Sequence, residues 1–167
     1  MLLDVSKILK ETGGKIDINT ELCFDDVDFL GENFHFVKPL ALNGKIYNNG
    51  KSLRLTLDVS GEMTVHCARC MTPLNTEINF EVTEDFMQDE GEETDEDVIL
   101  FSGTKIDILD VVSNCFFMNV SGKYLCSEDC RGLCPKCGKN LNEGDCDCED
   151  DDIDPRWAGL KAIMDKT

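Results

Sequence analysis

The 167-residue chain carries 34 acidic against 16 basic side chains, a formal net charge of −18. That length allows one sizeable core with one small appended module. No run approaches the roughly 18–20 apolar residues of a membrane span, and so large an acidic excess opposes unaided docking onto a phosphate backbone.

In chain order, Leu2, Val5, Ile8 and Leu9 recur at helical spacing within residues 1–12 and predict a short amphipathic turn or two, ended by Gly13-Gly14. The same stretch, with acidic Asp4 and no long apolar centre, does not read as a signal peptide, so a cytoplasmic protein is expected. Alternation from Lys15 to Phe24 predicts a strand. Leu40, Leu42 and Ile46 predict the next, Asn48-Asn49-Gly50 supplies turn chemistry, and Leu53, Leu55, Leu57 and Val59 alternate again. Ser60-Gly61 reads as a turn into a further strand through Met63 and Val65. A CARC motif, Cys67 to Cys70, makes the next reversal, and Leu74, Thr76, Ile78, Phe80 and Val82 run out as another strand.

Residues 84–98 hold nine acidic side chains and no basic one, too polar for a core, and read as a long connection. Val98–Phe101 fits one more strand. Asp107 offers an N-cap for a helix over 106–117, with Ile108, Val111, Val112 and Cys115 on one face. Residues 121–150 have few bulky apolar groups, so metal rather than a core is expected to hold them. Asp154-Pro155 then opens a closing helix over 151–167, striped by Trp157, Leu160 and Met164. The expected fold is α+β: an antiparallel β meander or barrel-like core over 1–120 with short helices, a cysteine-rich zinc module over 121–150, and the closing helix.

Cys126, Cys130, Cys134, Cys137, Cys146 and Cys148 crowd into one C-terminal stretch, with Cys67 and Cys70 far upstream. Thiolates at such spacing repel one another unless a cation or disulfides hold them. Zn²⁺ suits four soft sulfur ligands, being redox-silent and tetrahedral. In CPKCG, two residues between ligands let both sulfurs reach one metal, and Gly138 permits the positive φ of the turn. A disulfide framework would need an oxidising compartment. A thioredoxin-like redox pair would sit where a strand enters a helix, whereas CARC lies between two strand-like runs.

Cys23 and Cys115 stand singly in apolar segments and read as small packed hydrophobes. The other eight suffice for two Cys₄ sites. Cys134, Cys137, Cys146 and Cys148 form the favoured C-terminal site, since the eight residues between Cys137 and Cys146 close a short loop. Cys67 and Cys70 then pair with Cys126 and Cys130, stapling the module to the meander tip. The alternative is one ribbon-like site of Cys67, Cys70, Cys134 and Cys137. Cys146 or Cys148 could also lie outside the ligand set, with Cys130 substituting, and His66 could replace a cysteine. His35 has no candidate partners.

The CARC between strands, the helix opening at Ile106-Asp107, the block LCSEDCRGLCPKCGKNLN, the CDC pair and the closing DPRWAGLK together resemble the YceD family, the large ribosomal RNA subunit accumulation proteins. The resemblance runs from about Leu40 onward, and the GLCPKCG centre is its specific part. It implies a cytoplasmic, non-enzymatic factor needed for normal 23S rRNA accumulation. It also implies a link to large-subunit assembly, because the family's gene commonly neighbours that of a small basic ribosomal protein.

Three function classes remain to be weighed. Sulfur-saturated sites leave no open metal position for catalysis, and no triad ordering or phosphate loop appears, so neither an enzyme nor a small-molecule substrate is expected. Direct rRNA binding would use Arg69, Arg131, Lys136, Lys139, Arg156 and Lys161 around the cysteines. Each Zn(Cys)₄ centre carries a formal −2, however, which nearby cations offset, and aromatic residues for stacking are few there. The favoured reading is a protein partner: a basic ribosomal protein, or a pre-large-subunit particle, drawn by the runs 84–98 and 143–154, with rRNA contact indirect.

Overall fold

The structure, a computed structural model, describes residues 1–29, 31–89 and 98–148. The closing helix expected over 151–167 lies outside the described residues, as does most of the acidic run 84–98. The chain forms β1 (Leu2–Asp4), β2 (Lys15–Leu22), β3 (Val27–Phe29), β4 (Glu32–Phe36), β5 (Leu40–Asn48), β6 (Leu53–His66), β7 (Pro73–Gln88), β8 (Val98–Phe101), β9 (Lys105–Asp107) and α1 (Leu109–Asn119).

β6 organises the molecule. Its odd-numbered side chains point inward, and Leu53, Leu55, Leu57, Val59, Met63 and Val65 are all buried, each worth about 1.5–3 kcal/mol of burial. β7 pairs antiparallel along the whole of β6, from Leu53 opposite Phe86 to His66 opposite Pro73. On the other edge, β5 pairs with residues 53–60 of β6, and β4 pairs at Met63 and Thr64. β2 extends the sheet beyond β5, β3 beyond β4, and β8 joins β7 in parallel. This seven-stranded sheet is open, with no ladder among the described residues joining β2 to β8, so the barrel-like expectation is not met. β1 and β9 pair separately.

The inner face packs against α1. Phe116 lies within 5.3–5.7 Å of the rings of Phe24, Phe34, Phe36 and Phe117, and Val112 is fully buried. Burial of such rings is the largest apolar contribution available to a domain of this size. α1 is the one α-helix among the described residues and is too short to cross a membrane.

Several expectations change. Ser60-Gly61 is not a turn but the middle of one 14-residue strand. Gly61 faces inward, where an added Cβ would stand 2.3 Å from Leu40 Cδ2. The missing side chain makes room for a leucine. The N-terminal segment opens as a strand, because β1 pairs with β9 and the Met1 ammonium binds Asp107 at 2.7 Å. The expected helical turn is confined to residues 5–9, where Val5 O accepts the Leu9 N–H at 3.2 Å. Asp107 belongs to β9, so α1 begins later than expected, although its carboxylate still accepts the Leu109 N–H at 3.0 Å. The acidic run does not begin at Glu84: β7 continues to Gln88 and buries Phe86, which the surrounding charges concealed. β3 and β4 were not anticipated; their alternation is too short to stand out.

Candidate metal centre

CARC occupies the tip of the β6–β7 hairpin. Thr72 O accepts the Cys67 N–H and Cys67 O accepts the Met71 N–H, both at 2.9 Å. CPKCG repeats the geometry, with the Gly138 N–H donating to Cys134 O at 2.9 Å. The residue after the second cysteine is left-handed in both turns, Met71 at φ 60° and Gly138 at φ 72°. Glycine adopts that conformation freely, whereas a side chain there costs about 1–2 kcal/mol. Met71 is nevertheless 59% exposed.

After α1 the chain returns to this tip. Phe34 contacts Tyr124 ring to ring at 6.3 Å, and Tyr124 bridges Cys67 in parallel, its carbonyl accepting the Ala68 N–H at 2.8 Å. The Leu133 N–H donates to Arg69 O at 3.0 Å. The Arg69 guanidinium donates to Glu128 O at 3.0 Å and to Cys130 O at 2.9 Å. These bonds carry Cys126 and Cys130 onto the hairpin.

Two sulfur groups result. Cys67, Cys70, Cys126 and Cys130 form one, and Cys134, Cys137, Cys146 and Cys148 the other; within each, the ligand atoms lie within 4.8 Å of one another. In the first group, Cys67 and Cys130 Sγ are 3.8 Å apart and Cys70 and Cys126 Sγ 3.6 Å. A tetrahedron with metal–sulfur bonds of about 2.3 Å has edges of about 3.8 Å, whereas a disulfide needs about 2.05 Å. All ten cysteines are free thiols. Each group could therefore hold a metal ion.

The electrostatics of the groups favour a bound cation. Burial would raise the Cys67 thiol, but the N–H groups of Arg69, Cys126 and Cys70 outweigh it and bring it down to about 6. Cys126, facing Cys130 and Cys70, is pushed up to about 12. In the second group the N–H groups of Cys137 and Lys136 lower Cys134 to about 6, while Cys148, beside Cys137, is raised to about 12. Four neighbouring sulfurs cannot all ionise without a counter-charge, and a metal ion supplies one.

The groups do not mix, so Cys67 and Cys70 do not share a site with Cys134 and Cys137. His66 is not in the first group; its backbone N–H and Nδ1 both face the Glu32 carboxylate, at 2.8 and 3.2 Å. His35 pairs with Asp26. Cys115 packs partly against the core, whereas Cys23 is exposed rather than packed. Three cations near the sulfurs have internal partners: Arg69 as above, Arg131 on the Asp145 carboxylate, and Lys139 on Asp145 O at 2.6 Å. Sequence reasoning missed Asn142, whose Nδ2 donates to Cys130 Sγ at 3.3 Å, and Thr72, whose Oγ1 lies 3.1 Å from Cys70 Sγ. No spacing rule marks either residue.

Comparison with known proteins adds the lineage. An uncharacterized protein of Mycobacterium tuberculosis is 29% identical over 130 residues, covering 75% of this chain and 62% of that protein. This chain thus spans less than two thirds of the mycobacterial relative. The uncharacterized protein YlbN of Bacillus subtilis is 23% identical over 137 residues, 81% of this chain and 80% of its own length. A chloroplastic Arabidopsis thaliana protein, large ribosomal RNA subunit accumulation protein YCED homolog 1, is 29% identical over 62 residues, 37% of this chain and 19% of that one. No solved structure matches. The family profile for the large ribosomal RNA subunit accumulation protein YceD matches residues 55–164, from near the start of β6 through both cysteine groups, and the chain belongs to that family.

Proposed function

We propose that this chain is a cytoplasmic, non-enzymatic ribosome biogenesis factor that supports 23S rRNA accumulation by binding a basic ribosomal protein or a pre-large-subunit particle. Two structural Zn²⁺ ions would be held by the two cysteine groups. Family membership carries the ribosomal part of this reading. Four thiolates around each ion saturate it and leave no position for a substrate, so the metal's chemistry is cross-linking.

Charge supports a basic partner. Beyond the acidic runs, the β6–β7 register sets Asp58 opposite Glu81 and Glu62 opposite Glu77 on the outer face of the sheet. Like charges directly opposite one another are destabilising in a ladder; Lys38, 3.7 Å from Glu62, offsets one pair, and a cationic partner would relieve the other. Direct rRNA binding is the weaker reading because Arg69, Arg131 and Lys139 are engaged within the module.

The test neutralises Asp89, Glu90, Glu92, Glu93, Asp95, Glu96 and Asp97 to Asn or Gln and measures binding to large-subunit proteins and to total rRNA across a salt series. Slower association with basic proteins and a flatter salt dependence are expected. If the variant binds rRNA better and proteins equally well, the partner reading fails.

A further inference from the structure

The two cysteine groups differ in setting. In the first, Cys67, Cys70 and Cys130 are buried and Cys126 is exposed, and its facing sulfurs come from positions 56 and 63 residues apart in the chain. In the second, Cys134 is buried, Cys137 is exposed, and Cys146 and Cys148 are half-buried. Its four cysteines lie within the local segment 134–148. A chelator can approach either group at its exposed cysteine, but it then meets three buried ligands in the first group and one in the second, so the first must open further before its ion is lost.

The groups are also connected. Asn142 lies between Cys137 and Cys146, in the loop that the second group closes, yet its Nδ2 donates to Cys130 Sγ of the first group. Its Oδ1 accepts the Arg131 N–H at 2.8 Å, and the adjacent Leu141 N–H donates to Gly132 O at 2.9 Å. An N–H aimed at a metal-bound sulfur stabilises the thiolate and orients it, as hydrogen bonds behind metal ligands generally do. Here that bond depends on a loop whose ends are fixed by the other group.

We propose that the two groups bind a thiophilic divalent cation as an unequal, coupled pair: the second group releases its ion first, and Asn142 transmits the loss to the first group through Cys130. The inference rests on the metal reading above. Asn142 is a positioning residue that acts through Cys130. By linkage the coupling is reciprocal, so an ion in either group tightens the other by the same factor.

The full chain is loaded with Co²⁺, whose thiolate charge-transfer and d–d absorption reports each tetrahedral site, and an excess of chelator is added. Two phases are expected. The fast phase should disappear in Cys137→Ser/Cys148→Ser, which leaves the first group alone. Asn142→Asp keeps the acceptor toward Arg131 but removes the donor toward sulfur. In that variant the fast phase should accelerate about tenfold, the lower end of the range for lost hydrogen bonds behind metal ligands, because the first group's ion no longer tightens the second. The slow phase should have the same rate in the wild type and the double serine variant. Asn142→Ala removes the same donor without adding charge, so acceleration in both variants assigns the effect to the lost hydrogen bond rather than to carboxylate–thiolate repulsion. Its first-group charge-transfer band should shift while that of the second group stays in place. A single release phase, earlier loss from the first group, or Asn142→Asp at the wild-type rate would overturn the coupling and leave the metal reading intact. Failure to bind any Co²⁺ would overturn both.

Discussion

Replacing Cys67 by Ser removes a fully buried sulfur from the first cysteine group. With metal bound, that group cross-links positions 63 residues apart, Cys67 to Cys130. Treated as a cross-link on the unfolded chain, closing such a loop is worth about 4 kcal/mol. The second group closes the eight residues between Cys137 and Cys146, worth about 2.5 kcal/mol on the same basis. The Cys67→Ser variant should therefore lose one metal ion of two and about 4 kcal/mol, roughly a 10 °C fall in melting temperature for a chain of this size. Cys137→Ser should also lose one ion, with a smaller fall. Elemental analysis together with circular-dichroism melting in equimolar zinc measures both quantities. If Cys67→Ser keeps both ions or loses both, the grouping of the cysteines is wrong. If it melts no lower than Cys137→Ser, long-range closure is not what the first group contributes.

Three further outcomes test the fold. Gly61→Ala sets a Cβ 2.3 Å from Leu40 Cδ2 and should destabilise by about 1–3 kcal/mol through overpacking; an unchanged urea midpoint would contradict the continuous β6. Asn48 is buried, its Nδ2 donating to Ile8 O at 2.7 Å and Leu9 O at 3.1 Å while its Oδ1 accepts the Gly50 N–H at 2.8 Å. Asn48→Ala should cost about 1–3 kcal/mol by stranding those groups, and a loss well below that range in urea titration would mean that water replaces the amide. Asp85 accepts from Arg54 Nε at 3.1 Å, Arg54 Nη2 at 2.6 Å and Ser52 Oγ at 2.9 Å, and the Arg54 guanidinium holds its carboxyl below the usual range against the opposing effect of burial. A depressed folded pKa gives stability that is present above the unfolded value of about 3.9 and lost as pH falls through the folded one. Asp85→Asn should thus lower the urea midpoint at pH 7 but converge with the wild type in acid; a pH-independent gap would rule out the ion pair as the cause.

Much of the sheet was legible because its strands alternate strictly. Leu53 to Val59 and Leu74 to Val82 each carry a period of two, which only a half-buried strand requires. The errors had physical causes. Ser60-Gly61 has turn composition, but whether a glycine bends a chain or admits a neighbour depends on what packs above it, and Leu40 comes from another strand. At Leu2–Asp4 the helical spacing lost to pairing with β9, a partner about a hundred residues away that local periodicity cannot register. Phe86 stands with Met87 amid acidic neighbours, and its burial follows from the length of β6 opposite it.

The cysteine chemistry itself belongs to the sequence. Paired thiols at short spacing, in a segment too polar to build its own core, call for a soft cation whatever the surrounding fold. Loop closure also favoured the local set Cys134, Cys137, Cys146 and Cys148, because short loops close at little entropic cost. Tertiary structure decided the remainder. A strand long enough to carry CARC to the hairpin tip, and Tyr124 bridging Cys67 beside an aromatic core, bring Cys126 and Cys130 to within sulfur–sulfur contact of that tip. The same packing turns Arg69 inward and aims Asn142 at Cys130. Sequence separation sets the entropy of closing a loop, whereas packing of the elements between its ends determines which distant ends meet.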